Sequence, residues 1–427
     1  MAFEIASVSA IEMLDSLSRP TLQVTVGLAN GTRADAGVPS GVSRGSQEMR
    51  PLHDGVPNRF DGLGVLDACG KVEGEIARRL LGRTWSSLEE IDQALCDLDG
   101  TPTLGRLGAN AIAGVSMAVA RALAADAGQQ LYAWLPTMGA PARLPAPAFA
   151  VFSGGAHADS PLDFQEFMVV PVGAGSMADA VRAGVDIYTA LKKRLGDWVK
   201  PTGLSGVGGF AAPFGPPEIA LRFVTDAISD AGYPTGPAGV CIAVDAAATH
   251  FQQSDGTYRV NGETLSSADL VTRYVEMVDA YPIWSIEDGM AEGDRDGWRA
   301  LTAALGDRIQ LVGDDVFCTN PSLIQAGMAD EIGNAALISL TQTGTVTRTL
   351  EAIRTCQNGG WASMIGHRVG ETTDSFIADL AVASGCGQIK SGAPVRREAV
   401  AKYNRLVDIA GLVPQLPYGL TEASRRG

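Results

Sequence analysis

The chain has 427 residues, enough for two or three domains or for one barrel with an appendage. Hydrophobic residues make up 46% and charged residues 19%, which excludes a disordered or collagen-like protein. Lys plus Arg (33) against Asp plus Glu (48) leaves a formal charge of −15, a field that repels nucleic acid and anionic membranes, so neither is expected as a partner. The six cysteines (Cys69, Cys96, Cys241, Cys318, Cys356, Cys386) form no Cys-x-x-Cys pair and read as reduced thiols. The N-terminus lacks a basic stretch followed by an apolar h-region, and no apolar run reaches about 18 residues, so a soluble cytoplasmic protein is expected.

In chain order, residues 1 to about 60 alternate apolar and polar positions, and Asn30-Gly31 between two short strands predicts a hairpin. From Val65 to Trp134 the period becomes helical, in ACGKVEGEIARRLL, SLEEIDQALCDLD and the Ala-rich ANAIAGVSMAVARALAADAG. A small α+β domain over 1–137 is the expectation, and the Pro- and Gly-rich stretch 136–147 reads as a linker. Over 138–427 short apolar runs alternate with amphipathic helices: VCIAVD (240–245), YPIWSIED (281–288), RIQLVGDD (308–315), NAALISLTQ (334–342), WASMIGH (361–367) and GQIK (387–390). That alternation predicts parallel strands joined by crossovers, closing as a β/α barrel.

The active site of such a barrel is built at the C-terminal ends of the strands, and these runs end in polar residues. Asp245, Glu287 with Asp288, Asp314 with Asp315, His367 with Arg368, and Lys390 are expected at one mouth. A lone Asp after a strand is commonly the N-cap of the next helix. Three carboxylates on neighbouring strand ends repel unless a cation intervenes, and an oxygen-only set favours Mg²⁺ over zinc. His157 and His367 sit in Gly-containing turns beside other polar groups, whereas His53 and His250 are expected at the surface.

Several runs, in order, are similar to enolases: VPSGVSRG (38–45), DLDGTPTLGRLGANAIAGVSMAVARA (97–122), GGAHADSPLDFQEFMVVPVGA (154–174), SIEDGMAE (285–292), LVGDDVFCTNP (311–321), the run from His367 to Pro394, and AKYNRL (401–406). The resemblance implies an α/β fold, a modified (β/α)8 barrel preceded by a smaller α+β domain with a mobile substrate loop. It also implies a homodimer or higher homo-oligomer and Mg²⁺-dependent interconversion of 2-phosphoglycerate and phosphoenolpyruvate. By position, Asp245, Glu287, Asp314 and Ser43 resemble the metal ligands. Lys390 resembles the lysine that grips the substrate carboxylate, and Arg368 the phosphate-binding arginine. His157, Gln165, Glu166 and His367 resemble the polar pocket, with Asp315 and Ser339 beside it.

Two departures bear on chemistry. Where the family reads Gly-Asp-Glu-Gly-Gly-Phe, this chain reads Ser205-Gly206-Val207-Gly208-Gly209-Phe210, so Val207 replaces the general acid. Where the family has its catalytic lysine, this chain has Ser339. Each positioned acid or base contributes about 10²–10⁴ in rate. Arg44 is added in the loop beside Ser43, Gln47 replaces a loop histidine, and Val369 follows Arg368 where the family has serine. Loss of the proton-transfer pair with retention of the metal set suggests group transfer at phosphorus, which needs charge neutralisation more than a carbon-acid base. The expectation is therefore a protein similar to carboxyphosphonoenolpyruvate synthases, moving a phosphonoformyl group onto an enolpyruvate or phosphoglycerate skeleton. Its substrate would be a small phosphorylated or phosphonate-bearing carboxylic acid, with Arg44 pairing the extra carboxylate. The alternatives are an atypical phosphopyruvate hydratase with Lys390, His157, Glu166 or His367 in the catalytic roles, and a non-catalytic binding protein.

Overall fold

The computed structural model describes residues 2–42, 44–136, 139–198 and 203–420. The expected division between Thr137 and Met138 falls outside them.

The chain begins with β1 (Phe3–Leu14), β2 (Pro20–Leu28) and β3 (Arg33–Gly37), joined by β4 (Thr84–Trp85) into an antiparallel sheet of order β3-β2-β1-β4. The predicted hairpin is present, with Gly31 at φ 94° between β2 and β3. Leu22, Val24, Val26 and Leu28 alternate along β2 and are buried, as one face of a pleated strand requires. That face packs on the Ala-rich helix. Ser87 caps α1 (Leu88–Asp99) by accepting from the Glu90 N–H, and α2 (Ala109–Asp126) follows. A side chain on Gly114 would meet Val24 Cγ2 at 2.5 Å, so the glycine lets α2 lie directly on the sheet.

The second part is a closed barrel of β5 (Ala146–Ser153), β6 (Glu166–Val170), β7 (Cys241–Asp245), β8 (Ile283–Glu287), β9 (Gln310–Gly313), β10 (Ala335–Ile338), β11 (Ala362–Gly366) and β12 (Gln388–Lys390). Closure comes from β12 pairing in parallel with β5. Every strand is buried along its length, which accounts for the continuous apolar runs. Three expectations need correction. The barrel is not wholly parallel, because β6 runs antiparallel to both β5 and β7. Residues 154–165 hold only a short 3-10 turn, and without a crossover helix the chain folds back as a hairpin. The run NAALISLTQ is a strand only to Ile338, after which Leu340–Thr343 form a helical turn closed by Gly344 at φ 81°. The linker is shorter than 136–147, since Ala146 and Pro147 already pair with β12.

Outside the barrel lie α3 (Met177–Trp198), α4 (Pro217–Asp230), α5 (Ser267–Ala280), α6 (Arg295–Leu305), α7 (Pro321–Ala329), α8 (Val346–Asn358), α9 (Phe376–Ser384) and α10 (Arg397–Leu412). The small sheet is fastened over the barrel mouth. Arg121 Nη2 on α2 donates to Asp374 Oδ1 (2.7 Å), Asp374 Oδ2 accepts from the Gly37 N–H (2.9 Å), and Asp92 on α1 accepts from the Thr347 N–H (3.0 Å) at the start of α8.

Candidate active site

Strand direction decides which residues share the mouth. Asp245, Glu287 and Lys390 end β7, β8 and β12, and Asp314, Ser339 and His367 follow β9, β10 and β11. Glu166 opens β6, but that strand runs the other way, so Glu166 registers with Asp245 at the same rim.

Lys390 organises the buried centre. Its Nζ lies 2.7 Å from Asp245 Oδ2, 2.9 Å from Glu287 Oε1 and 3.0 Å from Glu166 Oε2. Burial by itself would lower the lysine's pKa, but the carboxylates of Asp245, Glu287 and Glu166 outweigh it and hold Lys390 well above its ordinary value. Burial would raise Glu166, yet Lys390 and then His157 hold it below the usual carboxylate range. His157 Nδ1 stands 3.5 Å from Glu166 Oε1, and Gln165 Nε2 donates to Asp245 Oδ2 (3.0 Å). His367 is pushed down to about 3 by burial and is therefore neutral near pH 7. Among the described residues, both ring nitrogens of His157, Gln165 Oε1 and Glu287 Oε2 are buried without hydrogen-bond partners, which concentrates unmet polar capacity here.

The acidic turn after β9 is the second component. Asp288, at φ 43°, accepts from the N–H groups of Asp314 and Asp315 (both 2.9 Å), and these two hydrogen bonds hold the left-handed residue in place. Burial and then the neighbouring acids push Asp288 well up, and burial with Asp314 pushes Asp315 up to about 8. Burial raises Glu287, reinforced by Asp245, and burial also raises Asp314 against the charge of Arg368. Carboxyls raised in this way require protons or a cation. Oxygen donors, the unpaired Glu287 Oε2 and the crowding of acids fit a hard divalent ion such as Mg²⁺. The grouping differs in detail from the expected ligand set. Oxygens of Asp288, Asp314 and Asp315 lie within 4.8 Å of one another, whereas Asp245 and Glu287 converge on Lys390. Ser43, the fourth expected ligand, lies outside the described residues.

Arg368 forms the third component. Its guanidinium donates to Glu48 at two points, Nη1–Oε2 3.0 Å and Nη2–Oε1 2.9 Å, and both side chains are buried. Gln342 Nε2 joins this pair to the acidic turn, donating to Asp314 Oδ1 (2.6 Å) and Glu48 Oε1 (3.1 Å). Gly45 allows the loop to lie flat there, since a side chain would meet Cys318 Sγ at 2.5 Å. Arg44 lies beside this pair, its guanidinium held below the ordinary value by desolvation among its neighbours and then by the charge of Arg368.

The two substituted positions border the same region. Val207 is buried, its carbonyl accepts from the Ala393 N–H (2.9 Å), and it shares a small cavity with His367 and Arg368. Ser339 is buried, donates its N–H to Thr319 Oγ1 (2.9 Å) and shares another cavity with Arg368 and Lys402. Of the outlying histidines, His250 is exposed as expected, but His53 is half-buried, its Nδ1 3.1 Å from the Leu63 carbonyl.

The residue reading missed Glu48, Gln342, Glu371 and Lys402. Lys402 Nζ donates to Glu371 Oε2 (2.8 Å), and the Arg368 N–H donates to Glu371 Oε1 (3.1 Å). Lys402 carried a usable signal, a lone charge between the core-facing Ala399, Tyr403 and Leu406 of α10. Glu48 carried none, because its partner is 320 residues away.

Family models agree with this architecture. Residues 5–135 match the enolase N-terminal domain, and residues 141–416 match the enolase C-terminal TIM barrel domain. A protein of Acidothermus cellulolyticus named Enolase is 47% identical over 405 residues, covering 95% of this chain and 94% of its own length. That similarity overturns the expected phosphonoformyl transfer and its place in phosphonate or antibiotic biosynthesis, because a nearly full-length relative carries the name of the lyase that stood as the alternative. Loss of two side chains within a retained scaffold was too little to indicate a new reaction. With both of its parts matched and its acidic strand ends converging at one mouth, the chain belongs to the enolase family of Mg²⁺-dependent enzymes.

Proposed function

We propose that this protein interconverts 2-phosphoglycerate and phosphoenolpyruvate, with proton transfer moved away from positions 207 and 339. The observation that carries the reading is the buried group of Lys390, Glu166 and His157 among unpartnered polar atoms at the barrel mouth. Asp245, Glu287 and Asp314 would hold Mg²⁺, with Ser43 completing a second site. When bound, the metal would acidify the α-proton of the substrate and stabilise charge on its carboxylate. Lys390 stays an ammonium among its carboxylates and so binds the substrate carboxylate instead of taking a proton. His157 is the group left to accept the α-proton, and Glu166 stabilises the imidazolium that results. Gln165 and neutral His367 position substrate oxygens, Arg368 with Arg44 receives the phosphate, and Asp315 and Ser339 line the pocket. In this reading residues 1–137 cap a catalytic barrel of 138–427, and the protein works as a cytoplasmic homodimer or higher homo-oligomer.

Purified protein with Mg²⁺ and 2-phosphoglycerate, followed by the absorbance of phosphoenolpyruvate, tests the proposal. Turnover should be slow, Mg²⁺-dependent and lost in His157→Ala. A parent rate at background sinks it. The aliphatic Val207 and the serine at 339 favour the second reading, a binding protein, for which phosphoenolpyruvate would bind with Mg²⁺ and never turn over.

A further inference from the structure

The cavity beside Val207 has room for about one water molecule. Its lining includes Val207, His367, Arg368, Ser391 and Glu398. Two of these carry unmet hydrogen-bonding capacity. Ser391 is fully buried and its hydroxyl has no partner among the described residues, and Glu398 Oε1 is likewise buried without one among them. A polar cavity of this size with two unsatisfied groups fits a bridging water, which restores hydrogen bonds that burial would otherwise cost. Glu398 lies in the first turn of α10 and is only partly buried as a residue.

We infer that Glu398, acting through a water held by Ser391, delivers the proton that Val207 cannot supply. The inference rests on the lyase reading above and adds the missing donor to it. In the dehydration direction the α-proton leaves to His157, and its electron pair forms the new carbon–carbon double bond. The carbon–oxygen bond breaks as the departing hydroxyl takes a proton from the cavity water. That water takes the proton of Glu398, and the carboxylate is reprotonated from solvent. Glu398 is thus a positioning and proton-delivery residue, not one that touches substrate. The titratable and charged groups around it are His367, Arg368 and Glu371 in the cavity wall, Arg396 and Arg397 beside it in the chain, and Lys402 one turn along α10.

The test is steady-state kinetics of the full chain with Mg²⁺ and 2-phosphoglycerate, for the parent and for Glu398→Gln, Glu398→Asp and Ser391→Ala. In Glu398→Gln, kcat should fall by about 10²-fold or more with KM nearly unchanged. Glu398→Asp should recover part of the rate, and Ser391→Ala should lower kcat by a smaller factor, again with KM nearly unchanged. Val207→Glu placed on the Glu398→Gln background should restore turnover, which also guards against a folding defect. An active parent whose kcat survives Glu398→Gln overturns this inference alone. An inactive parent instead overturns the lyase reading.

Discussion

Two buried cation–carboxylate groups stand at the barrel mouth and differ in charge balance. Around Lys390, one ammonium faces Asp245, Glu287 and Glu166, so negative charge is in excess. Around Arg368, the guanidinium makes a two-point pair with Glu48 and also feels the charges of Asp314 and Asp315, and Arg44 adds a second positive charge nearby. The first group therefore calls for a further cation, whereas the second offers two cations, Arg368 and Arg44, to an anion that displaces Glu48. One mouth is prepared in this way for a metal on one side and a phosphate on the other. Neither group includes Val207 or Ser339, so the binding machinery is separable from the proton-transfer machinery.

The strongest way to break that separation is to restore the family's pair. Val207→Glu combined with Ser339→Lys should raise turnover of 2-phosphoglycerate by about 10²–10⁴-fold, measured as kcat with Mg²⁺. An unchanged rate would mean that the pocket itself has been rebuilt.

Removing the central cation should cost stability. Lys390→Met leaves buried acids unpaired and should destabilise the metal-free protein by about 3–5 kcal/mol in urea unfolding. Added Mg²⁺ should return more stability to this variant than to the parent, because the excess charge is then greater.

Asp92 calibrates what burial does to a carboxylate with no cation beside it among the described residues. It lies away from the mouth, bonded to Thr347, and burial raises its pKa to about 6 from 3.8. A raised folded-state value means that the stabilising contribution is full below about pH 3.8 and is lost as pH rises through about 6. Asp92→Asn should flatten stability across that window and stabilise the protein at pH 7 by up to about 3 kcal/mol, less any hydrogen-bond loss, as read by thermal unfolding. A parent curve with no such slope would remove this reference point.

The smallest expected effect concerns the Arg368–Glu48 pair. Glu48→Gln removes the anion that competes for Arg368 and should tighten binding of inorganic phosphate about tenfold by calorimetry, about 1.4 kcal/mol. Weaker binding would show instead that Glu48 orients the arginine.

Much of this arrangement was legible along the chain. The polar strand ends Asp245, Glu287, Asp314, His367 and Lys390 follow apolar runs whose period and spacing mark buried strands. The reversed β6 was not legible, because an apolar run says nothing about direction when both faces of a strand are buried. Nor was the association of Glu48 with Arg368, or of Ser391 with Glu398 beside Val207, since these meet only after the barrel closes. The chemical conclusion first drawn from Val207 and Ser339 went too far for a related reason: two side chains state what is missing from a site but not what else the fold brings there.

The sequence by itself determined the elements and the chemistry available to them, because hydrophobic period, caps and residue type are local properties. The tertiary structure decided which charges share a solvent-excluded space, and hence their protonation. Lys390 is an ammonium and His367 is neutral because of what packs around each, in a medium where Coulomb and desolvation energies are large. Those energies depend on distances between residues remote in the chain, which only the closed barrel and its cap bring together.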